Sequence, residues 1–218
     1  TVITYSNIQR HDHLPFDQYL QLNGYSHSFL KSNIGGVSKH FEQTDKVRVG
    51  HLVDAILTEP AKADMSSPLY PQCKKIAAKV MEMFGDAINL CSKQANFTAN
   101  MNMGDFSMPV KGRLDLLLEG FAVIDLKVTS EKDIDALIQF MGYENQLWHY
   151  AKMAKVIKAY LLFYSIPRKE VIVRSVDVSS DHNEFWLNKI IDFGQVPGID
   201  AESVRINAGL QQTDQLHY

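Results

Sequence analysis

Cysteine is scarce: the 218 residues contain two, Cys73 and Cys91, which cannot build a disulfide framework and whose spacing matches no zinc or iron-sulfur pattern. They read as buried thiols in a reducing compartment. Long apolar runs are lacking too. No stretch approaches the roughly 18 residues of a membrane span, and the opening segment TVITYSNIQRHDHLPFDQYL has no apolar core of a signal peptide. What is present reads as soluble and cytoplasmic, with no membrane partner; the chain begins at Thr1, so a leader removed ahead of it would leave no trace. A basic excess is also missing. Twenty-two Lys and Arg against 25 Asp and Glu leave a formal charge of -3, so any nucleic-acid contact must rely on local positive groups. Low-complexity tracts and internal repeats are absent, and 45% hydrophobic with 22% charged residues is the composition of an ordinary globular chain.

A chain of this length can bury a sizeable core. The expected organisation is a single domain over 1–218, with an N-terminal arm or cap at 1–45, a core at 46–193 and a loosely organised tail at 194–218. Short helical periodicity around Phe16 to Leu30 interrupts the polar arm. The stretch DKVRVGHLVDAILTE predicts a helix that Pro60 stops, with Val49, Val53, Ile56 and Leu57 recurring on one face. A second helix is expected from about Gln72 to Phe84, with Gly85 as its terminator. The period then changes to that of strands in ANFTANMNM and in the hairpin PVKGRLDLLLEGFAVIDLKVTS. A long helix from about Asp133 to Lys155, two strands turning at Pro167 and Arg168, and a helix near His182 to Phe193 complete the order. This predicts an α/β fold, a mixed sheet covered by helices.

The hairpin carries the chemistry. Residues i and i+2 of a strand share a face, so Asp125 and Lys127 point one way and Leu126 the other. Whether Asp115 joins them depends on register. A two-residue turn at Glu119-Gly120 would aim Asp115 at the wrong face, whereas a three-residue loop of Glu119, Gly120 and Phe121 would pair Leu118 with Ala122 and set Asp115 opposite Asp125. In the second register two carboxylates face each other, which is destabilising unless a cation lies between them, and a hard divalent ion such as Mg²⁺ or Mn²⁺ suits such oxygens. The competing reading is a solvated Asp125-Lys127 edge pair met by chance.

Other residues bear on the choice. Gln146 and Tyr150 lie one turn apart on a helix face. His51 and Asp54 precede Glu59-Pro60 on the first core helix. Arg113 shares a face with Asp115 and is a candidate phosphate contact, or else a strand-end solubiliser. Of the short basic groups, Lys152, Lys155 and Lys158 follow Tyr150, and Lys152 and Lys155 are the first candidates for DNA contacts there; Trp148 should face packing.

The order helix acid, strand Asp, DxK and helix QxxxY resembles the RecB-like branch of the PD-(D/E)XK nuclease superfamily, and within it the phage-type members related to exonuclease VIII and lambda exonuclease. The resemblance spans roughly residues 26 to 165. Ser28-Phe29-Leu30 looks like a short Ser-containing segment of that group, and VGHLVDAILTEP is similar to its G-x-x-x-H-x-x-x-x-E-P helix, with Asp54 where the family has a metal-associated histidine. His51 is the second choice for that position. GRLD with Asp115 and DLK with Asp125 and Lys127 match the core motif, with Asp for the commoner Glu. The cysteines of the iron-sulfur nucleases of the branch are lacking.

The resemblance implies a restriction-endonuclease-like core and Mg²⁺-dependent hydrolysis of DNA phosphodiester bonds, Mn²⁺ serving as substitute. Asp54, Asp115, Asp125 and the Leu126 backbone carbonyl would hold one or two ions, Lys127 would orient or deprotonate the attacking water, Gln146 would bond near Lys127 or the scissile phosphate, and Tyr150 would brace the helix or touch DNA. It further implies an exonuclease acting at duplex ends in phage or prophage recombination, a homo-oligomer, and a single-strand annealing protein as partner. A restriction-like or repair endonuclease of the same fold and a non-catalytic DNA-binding module are the alternatives. Bound Mg²⁺ would move the formal charge from -3 to about -1 or +1.

Overall fold

A computed structural model describes residues 2–12, 14–28, 44–104, 106–179 and 182. Its centre is a six-stranded sheet in which spatial order follows chain order: β1 (Ile3–His11), β2 (Ser92–Met103), β3 (Phe106–Leu118), β4 (Ala122–Thr129), β5 (Lys158–Ser165) and β6 (Glu170–Val176). All neighbours run antiparallel except β4 and β5, which are parallel and are joined by a helical crossover. The helices are α1 (Phe16–Gln21), α2 (Asp45–Thr58), α3 (Tyr70–Leu90), α4 (Ile134–Met141) and α5 (Tyr143–Ala154). The mixed α/β fold expected from the sequence is the one observed.

Two apolar layers cover the sheet. On one side α2 buries Val49, Leu52, Val53 and Leu57 against Cys73, Ile76, Ala77 and Val80 of α3, and both close over Leu116 and Leu162. These positions recur every three to four residues, the spacing of one helix face. On the other side α5 buries Leu147, Trp148, Ala151 and Met153 against Phe97, Leu114, Val123, Leu161 and Phe163. Both cysteines are buried and free, as expected. Among the described residues no helix is long and apolar enough to cross a membrane.

Several boundaries differ from expectation for physical reasons. The N-terminal segment, read as an arm or cap, supplies edge strand β1 and the short helix α1. Helix α3 runs through Gly85 to Leu90, because Ile88, 1% exposed, anchors its last turn in the core and outweighs the roughly 1 kcal/mol cost of an interior glycine. The long helix predicted over 133–155 is two: α4 ends at Gly142, whose φ of 64° turns the chain before α5 begins. The helix expected near 182–193 and the tail at 194–218 lie outside the described residues, His182 excepted.

Helix α5 also drives His149 fully into the core, where its Nδ1 and the Tyr5 hydroxyl share a hydrogen bond of 2.6 Å. Burial, reinforced by neighbouring His27, lowers the imidazole to about 3. Between about pH 6.5 and 3 the unfolded chain binds a proton there that the folded chain excludes, so this group removes up to about 1.4 kcal/mol of stability per pH unit as pH falls. Urea midpoints measured from pH 7 to pH 4.5 should decline more steeply in the wild type than in His149→Asn. Parallel declines would remove this histidine as the cause.

Candidate active site

The β3-β4 hairpin adopts the three-residue loop. Leu116, Leu117 and Leu118 pair with Ile124, Val123 and Ala122, and Gly120 supplies the left-handed residue at φ 67°. The ladder stops one step short of Asp115 and Asp125. There the Asp115 carboxylate takes the place of a backbone acceptor, its Oδ2 receiving the Leu126 N–H at 2.8 Å. Across β2 the residue at the same level is Gln94, whose φ of 53° puts it in the left-handed region, although Lys93 and Ala95 on either side keep their pairing with Leu116 and Leu114. The backbone is thus irregular on both sides of Asp115, which frees its carboxylate from the sheet's alternation.

Asp125 and Lys127 share a face, as the strand period requires, and form an ion pair in which the Asp125 side chain is 5% exposed. The ammonium also donates to the Leu126 carbonyl at 3.3 Å and lies 5.2 Å from the centre of the Tyr143 ring. Burial works against its charge, but Asp125 and Asp115 outweigh that and hold Lys127 above its ordinary value. Asp115 is driven well above the usual carboxylate range by burial, then by the charges of Asp125 and Asp54. Asp54 is raised as well, by burial first; Lys127 pulls it back while Asp125 and Glu59 push it up. These three acids interact electrostatically in one place, which makes the cleft a candidate functional site.

The groups line a cleft of about 910 Å³ between the sheet and α1, α2 and α5. Asp54, Asp115, Asp125, Lys127, Gln146 and Tyr150 all border it. Gln146 donates from Nε2 to the Tyr150 hydroxyl at 3.0 Å, and Tyr150 is buried with its pKa pushed far up by that burial. Its ring lies over Gly112 of β3. His51 borders the same cleft one turn before Asp54, with an exposed side chain.

Three sequence-based assignments change their surroundings. Arg113, expected at a phosphate, borders the cleft with its guanidinium already engaged: it pairs with Glu59 at 3.1 Å and donates to Gln94 Oε1 at 2.7 Å and to the Leu14 carbonyl at 3.1 Å. Lys152 and Lys155 do not border the cleft. Lys152 stacks its ammonium 5.4 Å over the Trp148 ring, and Lys155 caps α5 in the left-handed region at φ 53°. The Leu126 carbonyl, expected as a metal oxygen, accepts from Lys127.

Gln94, Thr58 and Tyr143 are site residues that sequence reasoning missed. Gln94 donates from Nε2 to both Asp54 oxygens at 3.4 and 3.3 Å and to Thr58 Oγ1 at 3.0 Å. Nothing in a lone strand glutamine signals this role.

The donor set suits a hard divalent cation in kind, since it offers only carboxylate and carbonyl oxygens in a like-charged cluster. It does not yet form a ligand cage. Among the described residues no three His, Cys, Asp or Glu side chains come close enough together to hold an ion, and Lys127 occupies oxygens of Asp125 and Leu126.

The fold has solved relatives. A candidate exonuclease from Eubacterium rectale superposes with a TM-score of 0.57 at 16% identity, covering 93% of this chain and 89% of that one. The chain shares its fold with that protein. A phage-related exonuclease from Haemophilus somnus 129PT (TM-score 0.40, 12% identity, 88% and 96% covered) and the protein SSO0001 (0.42, 13%, 66% and 75%) are more distant, below the level at which a common architecture follows. No protein-family model matches the chain, and no curated protein matches it.

Proposed function

We propose that the protein is a metal-dependent deoxyribonuclease that hydrolyses phosphodiester bonds at duplex DNA ends, an exonuclease of the phage recombination type. The observation that carries this reading is the meeting of Asp115, Asp125 and Lys127 at the frayed end of one hairpin, with Asp54 facing them from α2 in the same cleft. The fold common to the Eubacterium rectale protein supports it.

In this reading Asp54, Asp115 and Asp125 would hold Mg²⁺, or Mn²⁺ in its place, with the Leu126 carbonyl as a further candidate oxygen. When bound, such an ion supplies Lewis acidity at the phosphoryl group and a bound water of lowered pKa. Lys127, on the Asp125 face of β4 and in the same cleft, would orient the attacking water or a phosphate oxygen by donation, or deprotonate that water. Gln146, at the cleft wall, presents its amide toward the same space while Tyr150 fixes its helix. Of the cations expected at DNA, Arg113 is at the cleft wall, whereas Lys152 and Lys155 lie outside it and would have only a peripheral role. A ring-like homo-oligomer encircling DNA, a single-strand annealing partner and a cytoplasmic setting belong to the same proposal.

The test is digestion of end-labelled linear duplex and of covalently closed circular DNA with Mg²⁺, Mn²⁺ or chelator. Metal-dependent loss of the linear label with an intact circle is expected. A degraded circle replaces the exonuclease by an endonuclease, and retention of both with DNA bound replaces it by a binding module. Lys127→Ala should lower the rate by at least about 100-fold, the scale seen when charge-stabilising donors are removed from active sites; full activity in that variant would remove the site assignment.

A further inference from the structure

We infer that Gln94 is a positioning residue for Asp54, and that Arg113 acts through it. The inference rests on the proposed metal-dependent reading and adds to it two residues that do not touch the reacting atoms.

An amide side chain can present either its oxygen or its nitrogen to a neighbour, and here the choice is forced. The Arg113 Nε–H can only donate, and it meets Gln94 Oε1 at 2.7 Å. The Nε2 end must then face the other way, where Thr58 Oγ1 stands at 3.0 Å and both Asp54 oxygens at 3.3 and 3.4 Å. Arg113 is itself immobilised by Glu59 at 3.1 Å and by the Leu14 carbonyl at 3.1 Å, with its side chain 10% exposed. Glu59 closes the loop, since it follows directly on α2, the helix that carries Asp54 and Thr58. The chain of contacts therefore runs from the end of α2 through β3 and β2 and back to α2. Its effect is to aim one amide hydrogen at Thr58 Oγ1 and the other at the Asp54 carboxylate, shared between its two oxygens, so that turning Asp54 away breaks its contact with an amide whose orientation Arg113 fixes.

Gln94 also holds a left-handed backbone conformation at φ 53°, rare for a residue with a side chain inside a strand. That conformation coincides with the point where the partner strand releases Asp115 from the ladder. One residue thus serves both carboxylates: its backbone permits the irregularity beside Asp115 and its side chain fixes Asp54.

The experiment is titration of the full chain with Mn²⁺ alone by calorimetry, for wild type, Gln94→Leu, Arg113→Lys, Asp54→Ala and the double variant Asp54→Ala/Gln94→Leu. Thermal midpoints serve as folding controls, and kcat and KM are measured on end-labelled duplex. Gln94→Leu should weaken Mn²⁺ by about 10–100-fold, the range for groups that orient metal ligands, with the loss in kcat rather than KM. Arg113→Lys, which keeps a charge for Glu59 but lacks the Nε donor, should weaken it in the same direction. The double variant should bind no worse than Asp54→Ala, because Gln94 has nothing left to orient. Unchanged Mn²⁺ affinity in Gln94→Leu with normal wild-type binding would overturn the relay alone, as would full additivity in the double variant. Failure of the wild type to bind Mn²⁺ would overturn the metal-dependent reading and the relay with it. If Gln94→Leu does not fold, Arg113→Lys carries the same comparison.

Discussion

Asp115→Asn should stop DNA cleavage and yield a more heat-resistant protein. The half-buried Asp115 has its carboxylate raised far above the ordinary range, first by desolvation and then by Asp125 and Asp54. The sign follows from linkage. An acid whose folded pKa exceeds its unfolded value binds its proton more tightly when folded, so it costs stability increasingly as pH rises from about 4 through the folded value. Asparagine keeps an oxygen for the Leu126 N–H, now 2.8 Å from Asp115 Oδ2, and removes the charge. The gain should be largest near pH 8 and vanish near pH 4, with each kcal/mol relieved raising the midpoint by about 2–4 °C in a chain of this size. Cleavage should fall at least about 100-fold, since even groups that only support a metal centre reach that loss. Circular dichroism melts at the two pH values and a gel of end-labelled duplex decide the matter. A variant less stable than wild type at pH 8 would mean that Asp115 is a structural carboxylate, and retained cleavage would remove it from the site.

Gly112→Ala should destabilise the fold and slow the proposed cleavage together. A Cβ at Gly112 would lie 2.5 Å from Met153 Cε and 2.8 and 3.0 Å from two carbons of the Tyr150 ring. Met153 can swing its terminal methyl aside. Tyr150 cannot, because it is 5% exposed and tied by its hydroxyl to Gln146. The ring must shift with α5, at the roughly 1–3 kcal/mol typical of overpacking. Because Gln146 borders the cleft, the same shift displaces its amide from the reacting space. Urea unfolding should register the loss of stability, and kcat should drop by about 10–100-fold, as a misplacement on the order of 1 Å can cost. The second variant Tyr150→Phe separates the two effects: it keeps the ring packing and loses only the bond to Gln146. A Gly112→Ala protein with wild-type stability would show that α5 is less firmly seated than its burial indicates.

What could be read from the sequence was whatever depends on local periodicity. Asp125 and Lys127 had to share a face because strand side chains alternate, and the Leu118–Ala122 register needed only one residue able to take a left-handed turn at Gly120. The i,i+4 contact of Gln146 and Tyr150 follows from helix geometry in the same way. The missed features depend on partners distant in the chain. The pairing of Arg113 with Glu59, 54 residues earlier, is one such contact. Gln94 carries no local signal, because its importance comes from a backbone twist that neighbouring strands impose. Gly85 and Gly142 are equal as letters, yet one is carried through a helix by the buried Ile88 and the other turns the chain, a difference settled by packing.

Lys111 gives the cleft a property of its own. Its ammonium donates to the carbonyls of Tyr19, Leu20 and Leu22, at 3.3, 2.9 and 2.8 Å, where the six residues of α1 end. A helix of that length does not persist alone in water, and α1 contributes Phe16, Tyr19 and Leu20 to the cleft wall. One buried cation from the middle of the sheet thus keeps that wall standing before any substrate arrives. The entropy of ordering the wall is charged to folding rather than to binding, so a ligand of the cleft meets a preorganised slot whose shape it need not induce.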